Sequence, residues 1–312
     1  MRSRLVTFLS LLFFCQYLPA QTIVPAGMRG TGYFMGKEFM DAIDSVVLRI
    51  QYITTFRECK EDGIPNKCVE ALLIGENMSE YCENVIQYSN ELIPIELHAA
   101  SSRSKDTAVI VTSMLLNTCN KYKLTPYTVW KNYPKQGWQT CFQNLSDELM
   151  ITDANVCPQL YYEEASSQPE WEIMEGDSII CGYVCQRAST IFRGRTWKVW
   201  YAPELPYQDG PWKLCGLPGL ILKAEDAAGD FCFEAIGIKR PHDEYIGKHP
   251  NLASYTKATP MRIQELQELK YKNPNGFYSM IMGEKMFEMV MNMNLIPNSR
   301  GARTPCLLEK FE

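Results

Sequence analysis

The sequence predicts an α+β protein in which a β-rich antiparallel sheet, built as a curved meander or half-barrel, has C-terminal helices packed on it. Short segments rich in β-branched and aromatic residues alternate with Gly- and Pro-containing turns between residues 44 and 238. Apolar residues at clear helical spacing appear between residues 259 and 296. The chain has 312 residues, 46% of them hydrophobic, which is enough for a large core in one domain or two smaller ones.

The first 20 residues have the pattern of a cleaved signal peptide. Arg2 and Arg4 form a positive segment, and Leu5–Leu18 is apolar but too short to cross a bilayer of roughly 30 Å. Ala20 is a small residue at the expected cleavage position. We therefore expect residues 21–312 to be exported, to the periplasm or beyond, with no transmembrane segment after cleavage.

The charge of the chain argues against two classes of partner. The net charge is -5, and removal of Arg2 and Arg4 changes it to about -7. No block of Lys and Arg stands out. Nucleic acid and an anionic membrane surface are therefore not expected as main partners.

The cysteine content predicts disulfides in an exported protein. Of 12 cysteines, Cys15 leaves with the signal peptide, and the odd remainder leaves at least one thiol unpaired or bonded between chains. Six are candidates for disulfides: Cys59, Cys68, Cys181, Cys185, Cys215 and Cys232. There is no CxxC pair, and no histidine stands at ligand spacing to a cysteine pair, so neither a metal site nor a cofactor is predicted.

Two of these cysteine pairs have a specific expectation. Cys59 and Cys68 end the polar loop "RECKEDGIPNKC" and are placed to close it as a staple. Cys181 and Cys185 lie in a segment that we interpret as a strand, which puts them about 13 Å apart and beyond disulfide reach of each other.

The N-terminal half predicts a hairpin followed by an ambiguous stretch. Residues 44–56 ("DSVVLRIQYITTF") and 68–82 ("CVEALLIGENMSEYC") are strand candidates that pair with each other, the second ending in a turn. Residues 91–155 are ambiguous, because "AVIVTSMLLNTC" within them fits a helix or a buried strand.

From Trp171 the pattern becomes a β meander. "DSIICGYVCQRAS" (residues 177–189) reads as one strand, and "FRGR" as the turn to "TWKVWYAP", in which Trp197, Val199 and Tyr201 share a face. After a Pro-rich loop, residues 217–220 match a type II turn that requires a positive φ at Gly219. The strands "LILKAED" and "DFCFEAIGI" then form a hairpin across the short connector "AAG".

The C-terminal part predicts helices. Thr259 is the expected N-cap, Pro260 occupies the first turn, and Ile263, Leu266 and Leu269 recur at helical spacing. A second segment, "GFYSMIMGEKMFEMVMNMN", holds six methionines. Core packing is the favoured role of this stripe, over a soft binding surface or a copper-thioether site.

Residues 176–238 resemble the signature block of the GLPGLI family, exported proteins typical of Bacteroidota. The matching features are Gly182-Tyr183-x-Cys185, Arg193-Gly194-Arg195, Trp200-Tyr201, Pro206, Gly210-Pro211-Trp212-Lys213, Gly216–Ile221 and Asp226. The resemblance implies one GLPGLI-type domain over residues 21–312, with a probable insertion at about 100–155 and a helical part at 259–296. It implies no specific function, because the family's function is unknown, but its association with outer-membrane transport genes points to the cell envelope.

Two functions are compatible with these residues. The preferred hypothesis is an envelope binding or interaction module that takes an apolar or peptide ligand, or an outer-membrane or periplasmic protein; the alternative is an exported, hydrolase-like enzyme, for which no catalytic residue is assigned. The block contains no histidine. Arg195 and Asp226 either orient a ligand at the rim or form a buried ion pair, and the motifs otherwise serve as turns that hold tryptophans against a sheet. The candidate binding or signature residues are Arg193, Arg195, Trp197, Trp200, Tyr201, Trp212, Gly216, Leu217, Pro218, Gly219 and Asp226.

Overall fold

The computed structural model describes residues 41–83, 127–145, 158–248, 255–292 and 302–311. Within them the chain is strand-rich, with one large open sheet and three helices near the C-terminal end. The strands are β1 (Asp41–Phe56), β2 (Asn66–Gly75), β3 (Ser79–Glu83), β4 (Tyr127–Lys131), β5 (Trp138–Asn144), β6 (Gln159–Ala165), β7 (Glu172–Ile180), β8 (Tyr183–Phe192), β9 (Arg195–Ala202), β10 (Leu220–Asp226), β11 (Phe231–Lys239), β12 (Tyr245–Lys248) and β13 (Thr256–Lys257). The helices are α1 (Pro260–Lys272), α2 (Pro274–Met282) and α3 (Glu284–Asn292).

The sheet consists of two meanders joined side by side. Its strand order is β13-β6-β5-β4-β3-β2-β1-β11-β10-β9-β8-β7, and β12 pairs with the beginning of β1. The pairs are antiparallel except for β13, which lies parallel to β6. The predicted β-rich sheet is therefore confirmed, with a mixed rather than a purely antiparallel pairing.

Alternation along the strands defines the core, as the sequence predicts. In β9, Trp197, Val199 and Tyr201 are buried while Lys198 is exposed. The predicted hairpins β1–β2 and β10–β11 are also present.

Helix α1 begins as predicted and packs on the apolar core of the sheet. The Thr259 side chain accepts a hydrogen bond from the amide of Arg262 at 3.2 Å, and Pro260 occupies the first turn. Ile263 and Leu266 are buried in the same apolar cluster as the sheet residues. The helix thereby contributes to the core that the sheet forms.

The methionine segment packs less completely than we predicted. Met282 and Met291 lie against the core, whereas Met280, Met286 and Met289 are exposed. Core packing is thus the role of only part of this stripe.

The segment of residues 177–189 is a hairpin rather than the single strand that we predicted. β7 ends at Ile180 and β8 begins at Tyr183, with Cys181 and Gly182 between them at φ values of 50° and 84°. Two successive positive φ values fit a type I′ turn, which the twist of a hairpin favours. The predicted 13 Å separation of Cys181 and Cys185 assumed an extended chain through both residues, and the turn at Cys181 removes that assumption.

The turn at Gly219 also differs from our prediction, because Gly219 has no positive φ. The amide of Gly219 donates to the carbonyl of Leu217 at 2.8 Å, a tighter turn than type II. A Cβ atom at Gly219 would lie 2.4 Å from the Ala202 carbonyl oxygen. Glycine is thus required for close approach, and the positive φ in this hexapeptide occurs at Gly216, at 92°.

Several expectations lie partly or wholly outside the described residues. The signal peptide (1–20) and the ambiguous run at 108–119 are outside them. Of the probable insertion at about 100–155, β4 and β5 are described, and they pair between β3 and β6 inside the sheet. No helix in the described ranges is long and apolar enough to cross a bilayer.

Candidate functional site

A partly open cavity of about 120 Å³ lies between the sheet, helix α1 and residues 302–311, which we call the C-terminal strap. The sheet contributes side chains from β4, β5 and β6, and the loop before β10 contributes Trp212 and Lys213. The lining is mainly apolar and aromatic, with a few polar and charged side chains. It includes Phe56, Arg57, Tyr127, Val129, Cys141, Gln143, Tyr162, Trp212, Lys213, Phe231, Ile263, Gln267, Lys270, Cys306, Leu308, Glu309 and Phe311.

Lys213 forms one wall of the cavity and is almost completely buried. Its Nζ donates to the Tyr162 hydroxyl at 2.6 Å and lies 2.7 Å from carboxylate oxygens of Glu164 and Glu309. The Tyr162 hydroxyl in turn donates to Glu309 at 2.7 Å. A buried ammonium group is stable only when paired and hydrogen-bonded in this way.

The loop conformation places Lys213 at this wall. The amide of Leu214 donates to the carbonyl of Pro211 at 3.1 Å, which closes a turn around Trp212 and Lys213. Trp212 has a φ of 52°, which is unusual for a bulky residue and carries local strain. Packing of Trp212 against Trp197 and Phe192, each with ring centroids 5.9 Å apart, maintains this conformation.

Arg193, at the β8–β9 turn, joins the charged cluster around Lys213. Its guanidinium lies 3.0 Å from Glu164 and 3.2 Å from Glu309. Arg193, Lys213, Glu164 and Glu309 therefore balance to two positive and two negative charges.

The pKa values in this cluster shift in the directions that ion pairing requires. The pKa of Glu164 is lowered. Burial acts to raise it, but the charge and hydrogen bond of Lys213, together with the charge of Arg193, outweigh that effect. Burial acts to lower the pKa of Lys213, but the negative charges of Cys141, when ionised, and of Glu309 and Glu164 leave it raised. Both groups are therefore charged at neutral pH.

The C-terminal strap is held by hydrogen bonds to several elements. The amide of Cys306 donates to the Glu58 carbonyl at 2.7 Å, and the amide of Phe311 donates to Gln264 on α1 at 2.7 Å. The amide of Lys310 donates to the Arg193 carbonyl at 3.2 Å. The strap is thus an integral wall of the cavity.

A second polar group lies beneath the cavity. The Glu70 carboxylate accepts a hydrogen bond from the Tyr81 hydroxyl at 2.5 Å and one from Thr54. The hydroxyl of Tyr127, whose residue lines the cavity, is hydrogen-bonded to Glu70 as well. Burial, followed by the Glu70 charge, raises the pKa of both tyrosines well above the usual value, so they remain neutral donors.

Of the two alternatives for Arg195 and Asp226, the structure shows the buried ion pair. The Arg195 guanidinium bonds to Asp226 at 2.5 Å and to Asp230 at 3.0 Å, and its Nε donates to the Leu307 carbonyl at 2.8 Å. The other carboxylate oxygen of Asp226 accepts hydrogen bonds from the backbone amides of Asp230 and Phe231. These residues fasten the β10–β11 turn to the strap and do not line the cavity.

The four predicted aromatic residues divide between the core, the cavity and the opposite face. Trp197 and Tyr201 are buried in the core, and only Trp212 lines the cavity. The Tyr201 hydroxyl donates to Gln186 at 2.7 Å. Trp200 is half-buried, with Arg187 5.6 Å and Lys223 5.2 Å from its ring centre. Of these four candidate residues, Trp212 is the one that lines the cavity.

The GLPGLI hexapeptide connects the loop to β10. Leu217 is buried and Pro218 is exposed. Gly216 provides the positive φ, and Gly219 allows the close approach to the Ala202 backbone. The hexapeptide also packs on the "GPWK" motif, because a Cβ at Gly210 would lie 2.7 Å from the Ile221 Cβ. The two motifs are one packed unit that presents Trp212 and Lys213.

The nine described cysteines are all free thiols. Cys59 and Cys68 do not form the predicted disulfide staple. The backbone of Cys59 forms a β-bridge with Pro305 of the strap, whereas Cys68 lies on β2 opposite Thr54 of β1. Cys181, Cys185, Cys215 and Cys232 are likewise unbonded. In the described part of the chain there is also no group of three His, Cys, Asp or Glu residues that fits a metal ion.

Sequence reasoning missed most of the polar residues at the cavity. Glu164 and Glu309 form ion pairs with Lys213 although they lie far from it in the sequence, and no local sequence pattern predicts such long-range contacts. Gln143 on β5 and Gln267 on α1 are half-buried in the structure, and no sequence pattern distinguishes them from other polar residues. The lysine of "GPWK" was the available signal, because it stands in an otherwise buried, turn-rich motif.

Comparisons with known proteins place the chain in no family. No family model matches it, and no curated protein matches it. Among solved structures it is similar to PNGF-II in two space groups, with TM-scores of 0.42 and 0.43, 14% identity, and 71% and 72% of this chain covered. The chain spans 33% of the length of PNGF-II. It is also similar to the LolA superfamily protein NE2245 from Nitrosomonas europaea, with a TM-score of 0.23 and 8% identity over 66% of this chain and 88% of that one.

Proposed function

We propose that this chain is a binding module of the cell envelope that takes an apolar or peptide ligand in the cavity beneath α1. The signal-peptide pattern of residues 1–20 and the resemblance to the GLPGLI family support export. The cavity supports binding, because concave, mainly apolar sites with a few convergent polar groups are the usual form of ligand sites.

The ion pair that joins distant strands of the sheet is the observation that carries the proposal. Arg193 lies at the β8–β9 turn and Glu164 on β6, eight strand spacings apart along the sheet, which is roughly 38 Å if the sheet is flat. Their charged groups are 3.0 Å apart. This supports a sheet that curves like a half-barrel around the cavity, with the strap and α1 across its open side.

The alternative of an exported hydrolase needs an activated nucleophile, and none is favoured by the cavity. Burial raises the pKa of Cys141 to about 11 and that of Cys306 to about 11. Both thiols of the cavity are therefore protonated at neutral pH and poor nucleophiles.

Native mass spectrometry and dye binding test the proposal. We expect the exported protein to carry a mass that is lost on denaturation, or to bind an uncharged apolar dye such as N-phenyl-1-naphthylamine. Leu308→Trp, which places an indole at the cavity wall, should abolish dye binding. The matched control is Ile191→Trp, at an exposed position on β8 that does not line the cavity. Equal dye binding by both variants would rule out this cavity as the site.

A further inference from the structure

Several half-buried polar residues line the cavity on the side of β1, β5 and α1. Among them are Arg57 and Glu58 after β1, Gln143 on β5, and Gln267 and Lys270 on α1. We call them the cavity rim. Because the charges around Lys213 balance one another, the rim determines which charge a ligand can bring.

The rim has unused hydrogen-bond donors. Arg57 donates Nη1 to the Asp62 carbonyl at 2.5 Å, and its other guanidinium nitrogens form no hydrogen bond within the described ranges. The side-chain amides of Gln143 and Gln267 also form no hydrogen bond with any residue that the structure describes. An amide and a guanidinium that are half-buried without partners favour a ligand that accepts hydrogen bonds.

The charge at the rim favours an anion. Arg57 and Lys270 are positive, and Glu58, whose carboxylate accepts a hydrogen bond from the Tyr271 hydroxyl at 3.2 Å, is negative. Glu58 offsets one of these two positive charges, which leaves these rim residues with one net positive charge. A carboxylate is the anion that guanidinium binds with two parallel hydrogen bonds.

The size of the interior limits the rest of the ligand. A cavity of about 120 Å³ is slightly smaller than the roughly 150 Å³ dry cavity that holds benzene. It is walled by Val129, Trp212 and Ile263 among other apolar residues. Only a compact branched or aromatic group, such as the phenyl ring of the dye, fits inside, whereas a long acyl chain does not.

We propose that the cavity recognises a compact apolar group carrying a carboxylate, with the apolar part inside and the carboxylate at the rim. This rests on the proposed binding function and specifies its ligand. The same chemistry is presented by a free short branched-chain acid and by the carboxyl-terminal apolar residue of a peptide.

Calorimetric titration of the exported protein with matched ligand pairs tests this. The first pair is 3-methylbutanoate and its uncharged amide; the second is the peptide Ala-Ala-Leu with a free and an amidated C-terminus. We expect at least one of the two carboxylates to bind about tenfold or more tightly than its amide. Binding of both carboxylates indicates the shared chemistry, and binding of one identifies its source.

Arg57→Gln should remove this preference, whereas Arg187→Gln, near Trp200 and outside the cavity, should not change it. If acid and amide bind equally well and Leu308→Trp abolishes both, the carboxylate proposal is wrong and the binding function stands. If no ligand and no apolar dye binds, the proposed function fails together with it.

Discussion

Gly219 provides the sharpest test of the packing between the hexapeptide and β9. An alanine Cβ there would lie 2.4 Å from the Ala202 oxygen, 2.7 Å from the Ala202 carbon and 2.9 Å from the Pro203 Cα. All three are backbone atoms, so no side chain can move aside to make room. Relief requires β10 to separate from β9, where Leu220 pairs with Ala202. We expect Gly219→Ala to lower the free energy of unfolding by about 3 kcal/mol and the Tm by roughly 6 °C.

Two other glycines separate this cause from general glycine effects. Gly63 has no atom within 4 Å of its would-be Cβ and no positive φ, so Gly63→Ala should change stability by less than about 0.5 kcal/mol. Gly216 has room but a φ of 92°, so asparagine, which tolerates such angles, should cost less there than valine. Urea unfolding followed by circular dichroism measures all of these variants. A Gly219→Ala variant as stable as Gly63→Ala, or an asparagine better tolerated than alanine at Gly219, would refute the reasoning.

Three further predictions concern charge and thiols. Asp226→Ala removes the nearest counter-charge of the buried Arg195, so urea unfolding should show a loss of about 3 kcal/mol; a loss under 1 kcal/mol would contradict a strong role for the pair. Because the folded pKa of Glu164 is lowered, its contribution is present above its ordinary pKa of 4.5 and is lost as pH falls through the lowered value. The Tm difference between wild type and Glu164→Gln should therefore disappear at low pH, and a pH-independent difference would refute this. Cys181 is the exposed thiol among the described cysteines, so iodoacetamide should modify it first in native protein; peptide mapping that shows uniform labelling would contradict the lower exposure of the others.

The regular strands could be predicted because their signals are local. In β9 and in β11, side chains alternate between buried and more exposed positions over enough residues to determine both the strand and its buried face. Thr259 and Pro260 determined the start of α1 equally well. The β7–β8 turn was missed because "IICGYVC" is apolar throughout, and only Gly182 marked the reversal.

The site could be predicted less well, because it depends on contacts between distant residues. Trp212 lines the cavity, whereas Trp197 and Tyr201, which were candidate binding residues as well, are buried in the core. The sequence left Arg195 and Asp226 with two roles, a ligand contact at the rim or a buried ion pair. Only their burial in the structure distinguishes the ion pair from the ligand contact. Glu309 carries no pattern that reveals its meeting with Lys213.

The junction of the two meanders has a consequence for how the chain reaches its native state. β1 lies in the middle of the sheet and pairs with β11, with Phe56 opposite Phe231. The ribosome synthesises β11 only after β2 to β10. Until β11 arrives, β1 is an unpaired edge that contains Leu48, Ile50 and Tyr52, all of them buried in the final fold. Such long-range pairing makes folding slow and leaves an early intermediate prone to aggregation. We therefore expect the edge of β1 to be the part of the growing chain most exposed to wrong pairing until β11 is made.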